Sequence, residues 1–204
     1  MLANSDFFTG AFAPEYGDAT SGVFDMKLKN GNNEQREYSS TISTLGLDIA
    51  AEGPFKKGYS GSYLANYRYS SLDLLDRAGI VDFGGVPRYQ DLSFKIQLPV
   101  KGRHNFAIFG LGGVSSINEE DKDENDDNII LSKAIVKNKL GVGGISHTYQ
   151  VNEDIYIKTS LAATGTYFSV SEELPDLDQN FKTTTLAEFE KSSLIGTTAF
   201  NYKL

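Results

Sequence analysis

The sequence has no cysteine and no tryptophan, and only two histidines and five prolines in 204 residues. Without cysteine there is no disulfide, no thiolate metal site and no cysteine nucleophile. Positive charge is also scarce: 19 Lys and Arg stand against 27 Asp and Glu, a formal net charge of −8. No basic patch could neutralise a phosphate backbone, which excludes a nucleic-acid partner. No run reaches the ~18 apolar residues of a membrane helix; the most apolar stretch, residues 106–114, is half glycine and small residues. The opening MLANSDFFTG has neither the positive start nor the apolar core of a secretory signal, so the chain reads as an internal stretch of a longer protein. His104 and His147 have no spaced partner for zinc, and no Gly-x-Ser-x-Gly elbow accompanies them. Neither an enzyme nor a cofactor is expected.

What the chain does have is glycine, with 20 residues, together with 11 Tyr and 13 Phe. Its organisation is a train of strands with period-2 alternation. In residues 22–29, Phe24, Met26 and Leu28 point one way and Asp25, Lys27 and Lys29 the other, before Asn30-Gly31 turns the chain. Two short strands, 35–46 and 47–55, meet near Gly46. Tyr59–Ser70 puts Tyr59, Tyr63, Ala65, Tyr67 and Tyr69 on one side, with Ser60, Ser62, Asn66, Arg68 and Ser70 opposite. Tyr89–Leu98 sets Leu92, Phe94, Ile96 and Leu98 against Asp91, Ser93, Lys95 and Gln97. The faces of Asn105–Ile117 are ambiguous. Strands at 132–149, 155–170 and 182–202 complete the train; the second sets Ile155, Ile157, Leu161 and Ala163 against Lys158, Ser160, Thr164 and Thr166.

The connections alternate in kind. Lys56-Lys57-Gly58, the turn at 101–104 and that at 151–154 are short, whereas 71–86, 118–131 and 171–181 are long. Outer-membrane barrels have this rhythm of short periplasmic turns and long external loops. Several strands also exceed the ~5–6 residues usual in globular sheets. The expected fold is all-β: about eight antiparallel transmembrane strands of a larger barrel, occupying residues 34–204. On that reading Tyr59, Tyr63, Tyr67, Tyr69, Leu92, Phe94 and Ile96 face lipid, while Asp48, Glu52, Asn66, Arg68, Asp91, Lys95 and Gln97 face the lumen. A tyrosine ladder could also stack bases or sugars, but its opposite face is already the polar one.

Three further features carry less. Asp121, Asp123, Asn125 and Asp127 are spaced like a calcium loop, yet Asp126 replaces the turn glycine and Ser132 the bidentate glutamate. The stretch 118–128 therefore reads as a solvated acidic loop. Residues 72–77 hold a possible helical turn. Gly46, Gly112, Gly113, Gly141, Gly143 and Gly144 suggest curvature and close approach.

The stretch EYGDATSGVFDMKLKNGN, residues 15–32, resembles the last segment of the plug domain of TonB-dependent outer-membrane receptors, in the form found in the Bacteroidetes branch. The likeness continues through REYSSTISTLGLDIAAEGPFKKG and SYLANYRYSSLDLLDRAGI, covering residues 7–80. It implies that residues 1–33 end a plug domain, and that the lumen-facing polar residues hold this plug across a wet interface. It further implies a Gram-negative outer-membrane location, import of a scarce solute (siderophore, glycan, peptide or vitamin), and energisation by a TonB complex acting on a plug segment upstream of this chain. Two other architectures fit the alternation. A complete small barrel, acting as adhesin, anchor or narrow pore, requires the first and last barrel strands to pair. A soluble β-sandwich requires two sheets sharing a core.

Overall fold

In the computed structural model the described residues are 3–10, 16, 20–44, 46–70, 72, 87–123, 126–176 and 180–203. They form ten strands: β1 (Asp6–Phe8), β2 (Val23–Asp25), β3 (Glu37–Ser43), β4 (Gly46–Pro54), β5 (Ser62–Ser70), β6 (Arg88–Val100), β7 (His104–Asp123), β8 (Asp126–Gln150), β9 (Ile155–Pro175) and β10 (Phe181–Tyr202). Strands β1 and β2 pair as a small antiparallel ribbon, and β3–β10 make one antiparallel sheet in sequence order. The protein is all-β, and every pairing in the large sheet is between chain neighbours, as consecutive hairpins produce.

The sheet does not close. β3 and β10 are its two edges, so a complete eight-stranded barrel is not formed. Nor, among the described residues, does a second sheet share a packed core with it; the β1–β2 ribbon faces it across a cavity. Among the described residues the buried apolar side chains are only Pro54, Leu64 and Ala107. The chain exposes 14203 Å² at 22.3 kDa, where a compact globular monomer of that mass exposes about 9,400 Å². This excess is the signature of a single layer, with Leu92, Leu140, Ile145, Leu161, Leu194 and Phe200 standing exposed. The shared dry core that a sandwich needs is missing.

Several elements differ from expectation, each for a local reason. β5 starts at Ser62, not Tyr59: Tyr59 sits in the turn and donates its hydroxyl to the Pro99 carbonyl at 3.1 Å. The acidic stretch is largely strand, because β7 and β8 continue as a hairpin through Glu119↔Ala134 and Asp121↔Ser132, with Lys133 closing on Glu120 at 3.0 Å. Ladder bonds and a cross-strand cation outweigh the like-charge repulsion that suggested a loop. The same extension carries β9 to Pro175 and starts β10 at Phe181. β2 is only three residues long, and its faces are reversed from a half-buried strand: Phe24 and Met26 are exposed, whereas Val23 and Asp25 are partly covered. The segment lies on a polar wall, so it turns a polar side chain toward that wall. The possible helical turn beyond Leu72 lies outside the described residues, as does Asn125 of the calcium-like spacing.

Aromatic rings on both faces use glycine as a seat. A Cβ on Gly110 would collide with the Phe94 ring, and one on Gly144 with the Phe109 ring and the Leu161 carbonyl. Gly112, Gly141 and Gly143 lie on the face away from the N-terminal segment, so they make no room for it; a Cβ added at Gly141 or Gly165 would meet nothing within 4 Å. Leu64, 2% exposed, is the best-buried apolar side chain. Leu64→Ala is expected to cost about 2–5 kcal/mol, read as a lowered urea midpoint. Leu161→Ala, at an exposed position, should move that midpoint far less.

Candidate functional site

Register decides what each face presents, because side chains alternate along every strand. On one face, Tyr63, Ile96, Ile108, Ile145 and Leu161 form a continuous cross-strand row. The next row is Ala65, Phe94, Gly110, Gly143, Ala163 and Leu194, and the one after it Tyr67, Leu92, Gly112, Gly141, Gly165 and Ser192. Toward the short turns the rows end in Phe106 and His147, then in Tyr149, Ile157 and Phe200. Toward the other end they meet Gln90, Lys139, Tyr167 and Glu190. Between these limits the strand residues of this face include no Asp, Glu, Lys or Arg; Arg36, just before β3, lies over Gly53 on the same face and reaches back to the Phe55 carbonyl, toward the short turns. From Ile157 to Tyr167 the belt runs about 33 Å along the strand, or roughly 25 Å at a tilt near 40°.

The opposite face holds the charges of the same rows. Arg68 grips Asp91 with Nε 3.0 and 3.1 Å from the two carboxylate oxygens, and with a guanidinium Nη2 3.0 Å from Oδ2. Asn66 donates to Asp48 at 2.8 Å. These four expected lumen residues pair with one another across strands rather than with the N-terminal segment. Glu52 and Lys95 do reach that segment. Glu52 takes Lys29 Nζ at 2.8 Å and the Asn32 backbone N–H at 2.9 Å, while Lys95 donates to the Leu28 carbonyl at 2.8 Å. Gln97 lines the space between them. The expected lipid set, apart from Tyr59, lies on the uncharged face.

Three contributors escaped sequence reasoning. Gly31 lies directly against the Tyr63 carbonyl, where any Cβ would collide; its Asn-Gly context signalled a turn, not a contact. Asp25 and Tyr16 meet at 3.1 Å, and Asp25 also pairs with Lys27 at 3.0 Å. The two histidines, distant in sequence, lie Nδ1 to Nε2 at 3.0 Å on the uncharged face beside Phe106 and Tyr149. Their centroids are 5.2 Å apart with planes only 6° from parallel. That spacing is the short N–N distance plus two ring radii, so the rings meet edge to edge as a hydrogen-bonded pair. Among the described residues no serine and carboxylate complete a triad with them, and no three His, Asp or Glu could hold a metal.

The chain matches no family profile, no curated protein and no solved structure.

The ion pairs of the N-terminal segment have a pH signature. Lys27, with the burial cost opposing and Tyr16 and Lys158 assisting, holds the Asp25 carboxyl below its usual 3.8. Asp25, and then Asp6, hold Lys27 above 10.5. A depressed carboxyl contributes stability above its unfolded pKa and loses it as pH falls through the folded value. The β1–β2 ribbon, which these pairs hold together, should therefore loosen on acidification below about pH 4. Hydrogen exchange of residues 20–30, corrected for intrinsic rate, is expected to rise there, and Asp25→Asn should flatten the acid limb.

Proposed function

We propose that this chain belongs to a TonB-dependent outer-membrane receptor, with the N-terminal segment as the end of the plug and β3–β10 as the opening strands of the barrel wall. The whole receptor captures a scarce solute outside the cell and imports it when an energising complex pulls on the plug. No covalent chemistry is involved. The observation that carries this reading is the segregation of charge: a belt whose strand residues carry no ionised side chain on one face, with Arg36 at its β3 edge turned toward the short turns, and Asp48, Glu52, Arg68, Asp91, Lys95 and Lys158 on the other. Arg68, Lys95 and Lys158 would each cost ~2–4 kcal/mol at the lipid midplane, and the carboxylates less, so the segregation has a reason where one face meets hydrocarbon. Tyrosine, phenylalanine and histidine near both limits of the belt fit the interfacial girdles of such walls. The open edges β3 and β10 fit a wider barrel whose neighbouring strands complete the ladder. The seating of residues 28–32 on Glu52 and Lys95 fits a plug held by its wall.

These 204 residues carry no cysteine, so single-cysteine labels introduced into them test the face assignment directly. Labels at Ile108, Ile145 and Leu161 in the full-length protein in vesicles should be quenched by brominated lipid, and labels at Ala107, Ser146 and Ser160 by aqueous iodide. The reverse pattern, or iodide quenching at all six, defeats the membrane reading. Ile145→Arg is expected to cost ~2–4 kcal/mol, with Ser146→Arg, on the other face, costing far less in the same assay. For transport, cells lacking the reading frame should lose uptake of one solute, and a protonophore should abolish that uptake in cells that retain it. Uptake indifferent to the proton gradient would leave a membrane sheet without the receptor's function.

A further inference from the structure

Between the N-terminal segment and the charged face lies a cavity of about 780 Å³. Its ionised lining is lopsided: Lys27, Lys95 and Lys158 against the single carboxylate of Asp25. Asp25 is already engaged by Lys27 at 3.0 Å and by the Tyr16 hydroxyl at 3.1 Å. Lys95 spends one proton on the Leu28 carbonyl at 2.8 Å and has two more to donate. Lys95 and Lys158 have no carboxylate within ion-pair distance among the described residues, in a chain whose formal net charge is −8. The same wall carries two buried amide oxygens, Gln97 Oε1 and Asn105 Oδ1, with no hydrogen-bond partner among the described residues. Two cations left uncompensated and two amides left unsatisfied are each costly arrangements unless a ligand completes them.

From this we infer that the cavity is a binding site for a solute bearing both an oxyanion, a carboxylate or phosphate, and hydroxyl or N–H donors, with Lys95 and Lys158 as the charge partners of the oxyanion and Gln97 Oε1 and Asn105 Oδ1 accepting from the donors. The volume suits a small organic molecule. The site lies on the charged face next to the short turns, away from the belt. It rests on the receptor reading only in taking that solute as transported cargo; the binding itself needs no membrane.

The test is calorimetric titration of the detergent-solubilised full-length protein with inorganic phosphate. Saturable binding is expected, weakened about tenfold or more in Lys95→Gln and in Lys158→Gln. Lys95→Arg, which keeps charge and donor, should retain it, and Lys57→Gln in the exposed turn should leave it unchanged. Glutamine at 95 can still donate to the Leu28 carbonyl, so loss of binding there reports the charge rather than detachment of the segment. Absent saturation, or equal affinity in wild type, Lys95→Gln and Lys158→Gln, overturns the site. Lipid quenching of a label at Ile145 in the vesicle preparation keeps the two readings apart. Phosphate binding lost with that quenching intact refutes the anion site alone; phosphate binding retained with the quenching reversed upholds the site and refutes the receptor.

Discussion

Everything in this molecule depends on the pleat holding one register across eight strands. Because neighbouring side chains point to opposite faces, a slip of one residue would exchange the two surfaces completely. Glu52, Lys95 and Lys158 would then stand in the belt, and Ile96, Ile145 and Leu161 would meet the N-terminal segment. The ladder prevents this through cross-strand partners of matched chemistry: Arg68 with Asp91, Asn66 near Asp48, and Phe94 seated on Gly110. Each contact is modest at about 0.2–1 kcal/mol, but all of them vote for the same alignment.

A single layer of this kind has little core of its own. Pro54, Leu64 and Ala107 are its only buried apolar side chains among the described residues, so the backbone ladder and its surroundings must supply what a globular interior normally would. On the charged face that surrounding is partly present, as residues 28–32 settle onto Glu52 and Lys95. On the other face it is not part of the chain. On the receptor reading proposed above, hydrocarbon covers this belt, roughly 25 Å tall, whose strand residues carry no charge. The same division explains the cavity under the N-terminal segment: two polar surfaces meeting through a few long side chains leave space, whereas two apolar ones would collapse to close packing.

The acidic stretch 118–128 and residues 171–175 show where composition misleads. Runs of Glu and Asp usually mean a solvated loop, because repulsion opposes order. Here two long strands had already aligned below, so each further ladder bond extended an existing hairpin without a new nucleation cost. Lys133 then supplied the opposite charge that the local sequence lacked.

Most strands, the short turns and the faces of β5 and β6 were legible in the chain because each depends on neighbours one or two residues away: Leu92, Phe94 and Ile96 against Asp91, Lys95 and Gln97 is a local statement. The seating of Glu52 and Lys95 was only half legible, since polarity showed which way they point but not what they touch. Their four companions Asp48, Asn66, Arg68 and Asp91 bond to each other instead. The meeting of His104 with His147, the seat of Gly31 against Tyr63, and the shared space of Lys95 with Lys158 were decided by tertiary structure alone. They bring together residues from 32 to 63 positions apart in the sequence, and only the accumulated register of intervening strands converts that separation into contact.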